Sequence, residues 1–484
     1  TPDDLLPIAI GQMELENSAL QNANNYLFVD TCLMTTKVFS EIYYGFCDSK
    51  LDKAAKKHKY DLFFLTDIDV PWEQDDLRDS PNDRAITFEN FKQALIENNK
   101  PFIILTGNPA TRFQKALSII EGLTKAKKLG FSSHDFLQIL DSKVPISEIE
   151  KQLSIYQNGI PKANLNRPAV IGDGILKFTE EEFQSYSLLF DSKKDNFKLK
   201  KFIPASGAAS RMFKFLNEFL NEFDLENETI NAYINRKNAT ELKIFLAGLE
   251  KFPFFKAVNN KILEEFSDLK SWNKDQQNYC FIKMMLEERH FDFSNKPKGV
   301  LPFHQYQNQI VTPIEEHLKE GILYSSAKGV SNLHFTISET HKLQFENILD
   351  KVKSKVEKMS GNKINIAFSH QQKHTDSIAV DSENKPFRNG NGELVFRPGG
   401  HGALIENLNS LDADFVFIKN IDNVIQNEAE TIALYKRGLA GLLIELQGKV
   451  NSYLLNEINH KKVKLFFLKN NDSAGIVHHY LQGV

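Results

Sequence analysis

Short apolar runs that stop abruptly at polar residues recur along this chain. Leu62-Phe63-Phe64-Leu65 ends in Thr66-Asp67-Ile68-Asp69, Phe102-Ile103-Ile104-Leu105 in Thr106-Gly107, and Phe415-Val416-Phe417-Ile418 runs on to Asn420-Ile421-Asp422-Asn423. Apolar runs this short, bounded by turn residues, predict buried strands. The segments between them carry helical spacing. Strands alternating with helices predict an α/β chain built on a doubly wound parallel sheet, whose carboxyl edge gathers ligands.

Length and charge narrow the options. The 484 residues leave room for roughly two to four domains. With 41% apolar and 25% charged residues the composition is globular, and a net charge of −4 leaves no electrostatic footprint for nucleic acid. Cys32, Cys47 and Cys280 form no CxxC pair and fit a reducing, cytoplasmic setting. No apolar run approaches a membrane span and no signal peptide opens the chain. The chain opens on Thr1 and closes on YLQGV, which reads as a piece of a longer product. Oligomeric state is not legible.

In the first 123 residues, YLFVDT (26–31) reads as a strand ending in Asp30, and residues 34–46 as a helix. The strands at 62–65 and 102–105 follow, with a helix from about Ala110. Asp30 and Asp67 are expected on one sheet edge. The strings GQMELE (11–16), YLFVDTCLMTTKVFSEIYYG (26–45), YDLFFLTDIDVPWEQDDLRD (60–79) and ILTGNPATRF (104–113) resemble the C-terminal part of the nicotinamide riboside kinase domain of bifunctional NAD-biosynthesis proteins, a P-loop kinase. That resemblance implies a Walker-B-type role for Asp30, with Asp67 and Asp69 nearby, and a phosphate lid containing Asp75, Asp76 and Arg78. No G-x-x-x-x-G-K-[ST] occurs in the chain, and that loop anchors the triphosphate. The segment therefore reads as a truncated P-loop-type remnant. Kinase activity is expected only if the native chain extends upstream to such a loop.

Residues 124–196 read as a helical connector belonging to a second unit, with Thr179-Glu180-Glu181-Glu182 as a capping box. The turn-rich GIPKANLNRPAVIGDGI (159–175) lies within it; Arg167 and Asp173 there could reach a substrate or simply shape a turn.

Residues 197–484 hold the stronger signals. A strand through Phe202-Ile203-Pro204 runs into Ala205-Ser206-Gly207-Ala208-Ala209-Ser210-Arg211-Met212, small residues that let backbone amides wrap a phosphate, with Arg211 adding positive charge. Lys296-Pro297-Lys298-Gly299 follows after a helical insertion at about 217–291. Strands are expected at 333–338 and 364–368, the latter ending in Ser369-His370-Gln371-Gln372. The glycine turn Pro398-Gly399-Gly400-His401-Gly402 opens another helix, and an ordinary turn is its alternative reading. Asp422, just past a buried strand end, sits where α/β enzymes often hold Mg²⁺. His370, His374 and Asp376 offer a second metal set, without the helical spacing such sites use.

In order, PASGAASRM, PKGVLPF, T-P-I-E (312–315), PGGHG and NIDN resemble the UDP-sugar pyrophosphorylases, a branch of the nucleotidyltransferases. The resemblance implies a Rossmann-type mixed sheet. Ser206, Gly207, Ala208, Ala209, Ser210 and Arg211 would hold the triphosphate, and Lys298 would neutralise its α-phosphate. Gln371, Gln372, Gly399, Gly400, His401 and Gly402 would meet the base, and Asp422 would hold Mg²⁺. The expected partners are a nucleoside triphosphate and a phosphorylated small molecule, as in a sugar-1-phosphate uridylyltransferase. A non-catalytic nucleotide-binding or scaffold protein is the competing expectation. The pattern departs from the family at Ala209, where glycine is frequent, and in the long insertion. Across 125–484, RPAVIGDGI, FIPASGAASRM, KPKGVLPFH and FRPGGHGALIENLN resemble a bacterial domain-of-unknown-function family.

Overall fold

The structure, a computed structural model, describes residues 1–71, 83–307 and 309–455. The chain divides into two compact units: residues 1–161 with 373–398, and residues 162–372 with 399–484. Among the described residues no helix is long and apolar enough to cross a membrane.

The first unit begins with α1 (Pro2–Asn22), α2 (Leu33–Tyr44) and α3 (Ser49–Lys57), then β1 (Phe63–Thr66), α4 (Arg84–Glu97) and β2 (Phe102–Leu105). The expected strands at 62–65 and 102–105 pair in parallel, Phe63 opposite Phe102. The expected strand at 26–31 does not form. Among the described residues no strand pairs with that segment, Tyr26 and Phe28 are 50% and 71% exposed, and Asp30 lies on an exposed bend rather than at a strand end. Apolar content proposes a strand, but only a paired edge makes one.

Helices α5 (Pro109–Lys128), α6 (Ser133–Ser142) and α7 (Ile146–Asn158) complete this unit around Phe136, Ile139 and Ile149. Residues 373–398 return to the same core. They bring in Ile378 and Leu394, whose amides donate to Gln152 and Gln138 at 2.9 Å each, and Arg388, which grips the buried Asp135 at 2.6 and 2.9 Å.

The second unit opens with α8 (Glu180–Lys193), whose Thr179–Glu182 capping box forms as the sequence predicts. Strand β3 (Leu199–Pro204) follows. A five-helix insertion comes next: α9 (Lys214–Glu222), α10 (Ile230–Lys237), α11 (Thr240–Ala247), α12 (Phe255–Glu265) and α13 (Lys274–Leu286). It closes on its own phenylalanine-rich core, with Phe219 stacked on Phe223 and edge-on to Tyr233. A hairpin, β4 (His304–Tyr306) and β5 (Gln309–Val311), leads to α14 (Pro313–Tyr324), then β6 (Val330–Thr336), α15 (Lys342–Ser360), β7 (Lys363–Ser369), α16 (Ile405–Asn409), β8 (Phe415–Ile418) and α17 (Ala429–Leu455).

Strands β7-β6-β3-β8 are hydrogen-bonded in that order and all parallel; the short strand Ser326–Ala327 adds an antiparallel edge to β6. In chain order this is 3-2-1-4, one half of a doubly wound sheet plus a strand on the far side of β3, so the order reverses between β3 and β8. Alternation along the strands sends Ile203, Leu333, Phe335 and Ile364 into one core with Ile314 and Leu318 of α14 and Phe345 and Leu349 of α15. The other face carries Phe202, His334, Thr336 and Ser369. In the sheet β6 lies on one side of β3 and β8 on the other, a reversal of strand order at whose carboxyl ends open α/β sheets have a crevice.

Candidate functional site at the strand order reversal

The carboxyl end of β3 continues into the small-residue loop, and that of β8 into Lys419-Asn420-Ile421-Asp422. Pairing persists beyond both strands. The amide of Lys419 donates to Phe202 O and that of Ile421 to Pro204 O, each at 3.1 Å, while Ala205 N donates to Thr336 O at 2.8 Å. The Lys296–Gly299 segment crosses this edge, with Ala209 N donating to Lys296 O at 3.0 Å and Lys298 N to Gly207 O at 3.3 Å. Lys298 Nζ then reaches Asp422 Oδ2 at 2.6 Å. Three strings distant in sequence thus meet at one point.

Two features fix that meeting. Gly299 is buried where a Cβ would lie 3.0 Å from Phe345, 3.1 Å from Ile421 and 3.2 Å from Ile314. Glycine lets the Lys298 turn lie this close to the strand end without any of the three side chains shifting. His317 of α14, fully buried, contacts Ile421 O through Nε2 at 3.2 Å. Burial first, then the nearby Lys201 and Lys419, push its pKa well below the usual histidine value. It is a neutral ring whose Nε2–H donates to the carbonyl just before Asp422.

Beneath the crevice lies a buried ionic cluster. Lys201 Nζ donates to Glu320 Oε2 and to His317 O at 3.1 Å each, Lys419 Nζ reaches Glu320 Oε1 at 2.6 Å, and Tyr324 donates to Glu320 Oε2 at 3.2 Å. Burial is the main cause that pushes Lys201 down to about 7, against the opposing pull of Glu320.

The other predicted residues fall into place unevenly. Arg211 is exposed at the end of the loop, without an ion-pair partner among the described residues. Among the described residues the amides of Ser206, Gly207, Ala208 and Ser210 have no backbone hydrogen-bond acceptor. Ala209 differs from expectation: its amide is held by Lys296, and its methyl is fully buried in the core of the helical insertion. It anchors the loop and cannot present its amide to a ligand. Gln371 and Gln372 follow β7 on the same carboxyl edge, two strands from β3. The Gly399–Gly402 turn, which contains His401, leads into α16.

Asn407 of α16 was not legible in the sequence. It is buried, and its Nδ2 donates to Ser369 Oγ at 3.0 Å and His370 O at 2.9 Å, tying the glycine turn to the end of β7. Ser369 also meets His334 at 2.8 Å and Thr336 at 3.1 Å. The signal available was a polar residue recurring in a short helix, which resembles any surface turn.

Among the described residues no cluster of three His, Cys, Asp or Glu could hold a metal, His370, His374 and Asp376 included. Asp422 supplies one half-exposed carboxylate. Such a donor suits a Mg²⁺ that arrives with a triphosphate and keeps its own waters, not a resident ion held by protein alone. In the first unit, Asp67 caps Ile68 N at 2.7 Å. Asp69 accepts from Gly107 N at 2.5 Å and pairs with Arg112, so it locks the ends of β1 and β2 together. Asp75, Asp76 and Arg78 lie outside the described residues.

Residues 132–473 match the family described as domain of unknown function (DUF4301). The chain belongs to that family. The match takes in the crevice, its lysine and its aspartate. Residues 1–112 match the AAA domain. The chain is also similar to the trifunctional NAD biosynthesis/regulator protein NadR of Salmonella typhimurium, with 31% identity over 98 residues, 20% of this chain and 24% of that protein. The chain thus spans about a quarter of that relative. No solved structure matches the chain.

Proposed function

We infer that the second unit transfers a nucleotidyl group from a nucleoside triphosphate to a sugar phosphate or a related phosphate. The observation that carries this reading is the Lys298–Asp422 pair, 2.6 Å apart at the reversal of strand order. Open α/β sheets bind ligands there. The similarity of residues 1–112 to an AAA domain and of the chain to an NAD-biosynthesis protein supports nucleotide handling by the chain as a whole.

The attacking phosphate is already ionised, so the chain needs little general-base chemistry. Its task is to position the groups and neutralise charge. Arg211 and the free amides of Ser206, Gly207, Ala208 and Ser210 hold the β- and γ-phosphates. Lys298 swings from Asp422 to the α-phosphate as the triphosphate enters. Gln371, Gln372 and the Gly399–Gly402 turn with His401 read the base. Mg²⁺ carried in by the nucleotide and held at Asp422 would spread the negative charge of the phosphates. An in-line attack on the α-phosphorus then expels pyrophosphate.

A second reading has one observation in its favour: lysine and aspartate already neutralise each other, as in a closed site that only senses nucleotide. Calorimetry with UTP, CTP, GTP and ATP plus Mg²⁺, followed by a pyrophosphate-release assay with sugar phosphates, separates the two. Release supports transfer, and binding without release supports sensing. Lys298→Ala and Asp422→Ala should each lower turnover on the order of 10²–10³-fold. Unchanged turnover in both refutes the assignment.

A further inference from the structure

A two-lobed cleft lies on the β4–β5 hairpin and the segment that follows Asp422. The first lobe, about 560 Å³, is lined by Gln305, Tyr306, Gln307, Gln309, Gln426 and Asn427. The second, about 590 Å³, shares four of these and adds Phe252, Pro253 and Phe303, with Lys251 at its margin. Both lobes are shallow and open to solvent, and the lining differs from the usual apolar one: among the described residues the first lobe is lined by five side-chain amides and no charged residue.

The cleft is built from the chain segments that leave the pair. The lysine turn runs straight into β4, and Asp422 leads to Gln426. Gln426 Nε2 donates to Gln305 O at 2.5 Å and joins the two segments. Tyr306 is fixed, its hydroxyl donating at 2.8 Å to the buried Glu316, which also holds His304 at 2.8 Å. The side-chain amides of Gln305 and Gln307 have no hydrogen-bond partner among the described residues and are exposed. A free carboxamide presents a donor and an acceptor side by side. Adjacent hydroxyls on a ring match that pattern, and the C–H face of the same ring suits Phe252 and Phe303 in the second lobe. The two cations that touch its lining, Lys355 at Gln309 Oε1 and Lys319 at 5.3 Å from the Tyr306 ring centre, are both paired with Glu315, which leaves little to draw an anion into the first lobe.

We propose that this cleft binds an uncharged pyranose ring, the sugar part of the phosphorylated acceptor. The role as acceptor rests on the transferase reading; the binding of the ring does not. Saturation-transfer NMR on the full chain tests it with D-glucose, D-mannose, D-galactose and N-acetyl-D-glucosamine, each alone and with UTP, CTP, GTP or ATP. At least one sugar should receive saturation. The signal should fall by about tenfold or more, the equivalent of two lost polar contacts, in Gln305→Ala/Gln307→Ala, whose thermal melt should match the parent. Three results overturn the proposal: no sugar saturated in any nucleotide state, an undiminished signal in the double variant, or displacement of the sugar by uridine or adenosine. Failure of the transferase reading looks different. Sugar binding would persist, also in Lys298→Ala, while no triphosphate binds and no pyrophosphate appears.

Discussion

Replacing Lys201 with methionine should stabilise the second unit at neutral pH, and the gain should vanish in alkali. In the parent, two lysines, Lys201 and Lys419, share the single carboxylate of Glu320 in a buried space below β3 and β8. Burial dominates and drops Lys201 from an ordinary 10.5 to about 7, and the neighbouring Lys419 and Lys436 push the same way. In the unfolded chain it returns to its ordinary value. Between about pH 7 and 10.5 the unfolded chain therefore holds more protons than the folded one, and stability rises with pH by up to about 1.4 kcal/mol per unit. Below pH 7 both states are protonated and the cost is fully present. Methionine keeps the unbranched length and the packing against Tyr324, whose ring centre lies 5.0 Å from the lysine nitrogen. It leaves Glu320 and Lys419 as a one-to-one pair. The lost hydrogen bond to His317 O costs about 1 kcal/mol. Set against the relief of an overcharged site, the net gain at pH 6 should be about 1–4 kcal/mol. Urea unfolding from pH 6 to 10, read through Trp272 in a Trp72→Phe background, measures the difference between variant and parent, so other titrating groups cancel. A difference that stays constant across that range, or a variant weaker than the parent at pH 6, refutes the reasoning.

Three further outcomes test the crevice and the first unit. Gly299→Ala places a methyl against Phe345, Ile421 and Ile314; it should cost about 1–3 kcal/mol in denaturant unfolding and, by displacing Ile421, also lower nucleotide turnover. Gly207→Ala meets no atom within 4 Å and needs no left-handed backbone, so stability should stay within about 0.5 kcal/mol; if a phosphate lies against that backbone, calorimetry should find triphosphate affinity lower by about tenfold. Arg388→Ala leaves the buried Asp135 with only its Ser132 contacts; melting of the first unit should report a loss of about 1–3 kcal/mol.

What the sequence conveyed was local. The strands at 62–65, 102–105, 202–204, 333–338, 364–368 and 415–418 appear within a few residues of expectation, because each is a short apolar run with a turn at its end. Thr179 caps α8 through a reciprocal contact with a residue three positions on, a pattern visible in a string. The failures are non-local. Segment 26–31 had strand composition but finds no partner strand among the described residues. Ala209 stood in a loop read as an amide cradle, and its commitment to Lys296 depends on a segment eighty-seven positions away. Nothing in the sequence singled out His317; its role comes from facing Ile421, 104 residues downstream. Lys298 and Asp422 were legible as types at strand and loop ends, whereas their contact across 124 residues was not.

The way these contacts converge also argues that the pair is built for more than its own stability. An exposed lysine–aspartate bridge stabilises a fold by about 1 kcal/mol at most. Yet Gly299 is buried to bring the lysine turn close, a neutral histidine is buried to hold Ile421 O, and Ile421 N is tied to Pro204. All three act on Ile421, the residue next to Asp422, and none would be needed for a bridge that long flexible side chains could form on any surface. A fold that spends a buried glycine and a buried imidazole on the placement of one half-exposed carboxylate has fixed the position of that carboxylate. A fixed carboxylate with a lysine 2.6 Å away, at the carboxyl edge where the strand order reverses, is the pair that the transferase proposal sets against the phosphates.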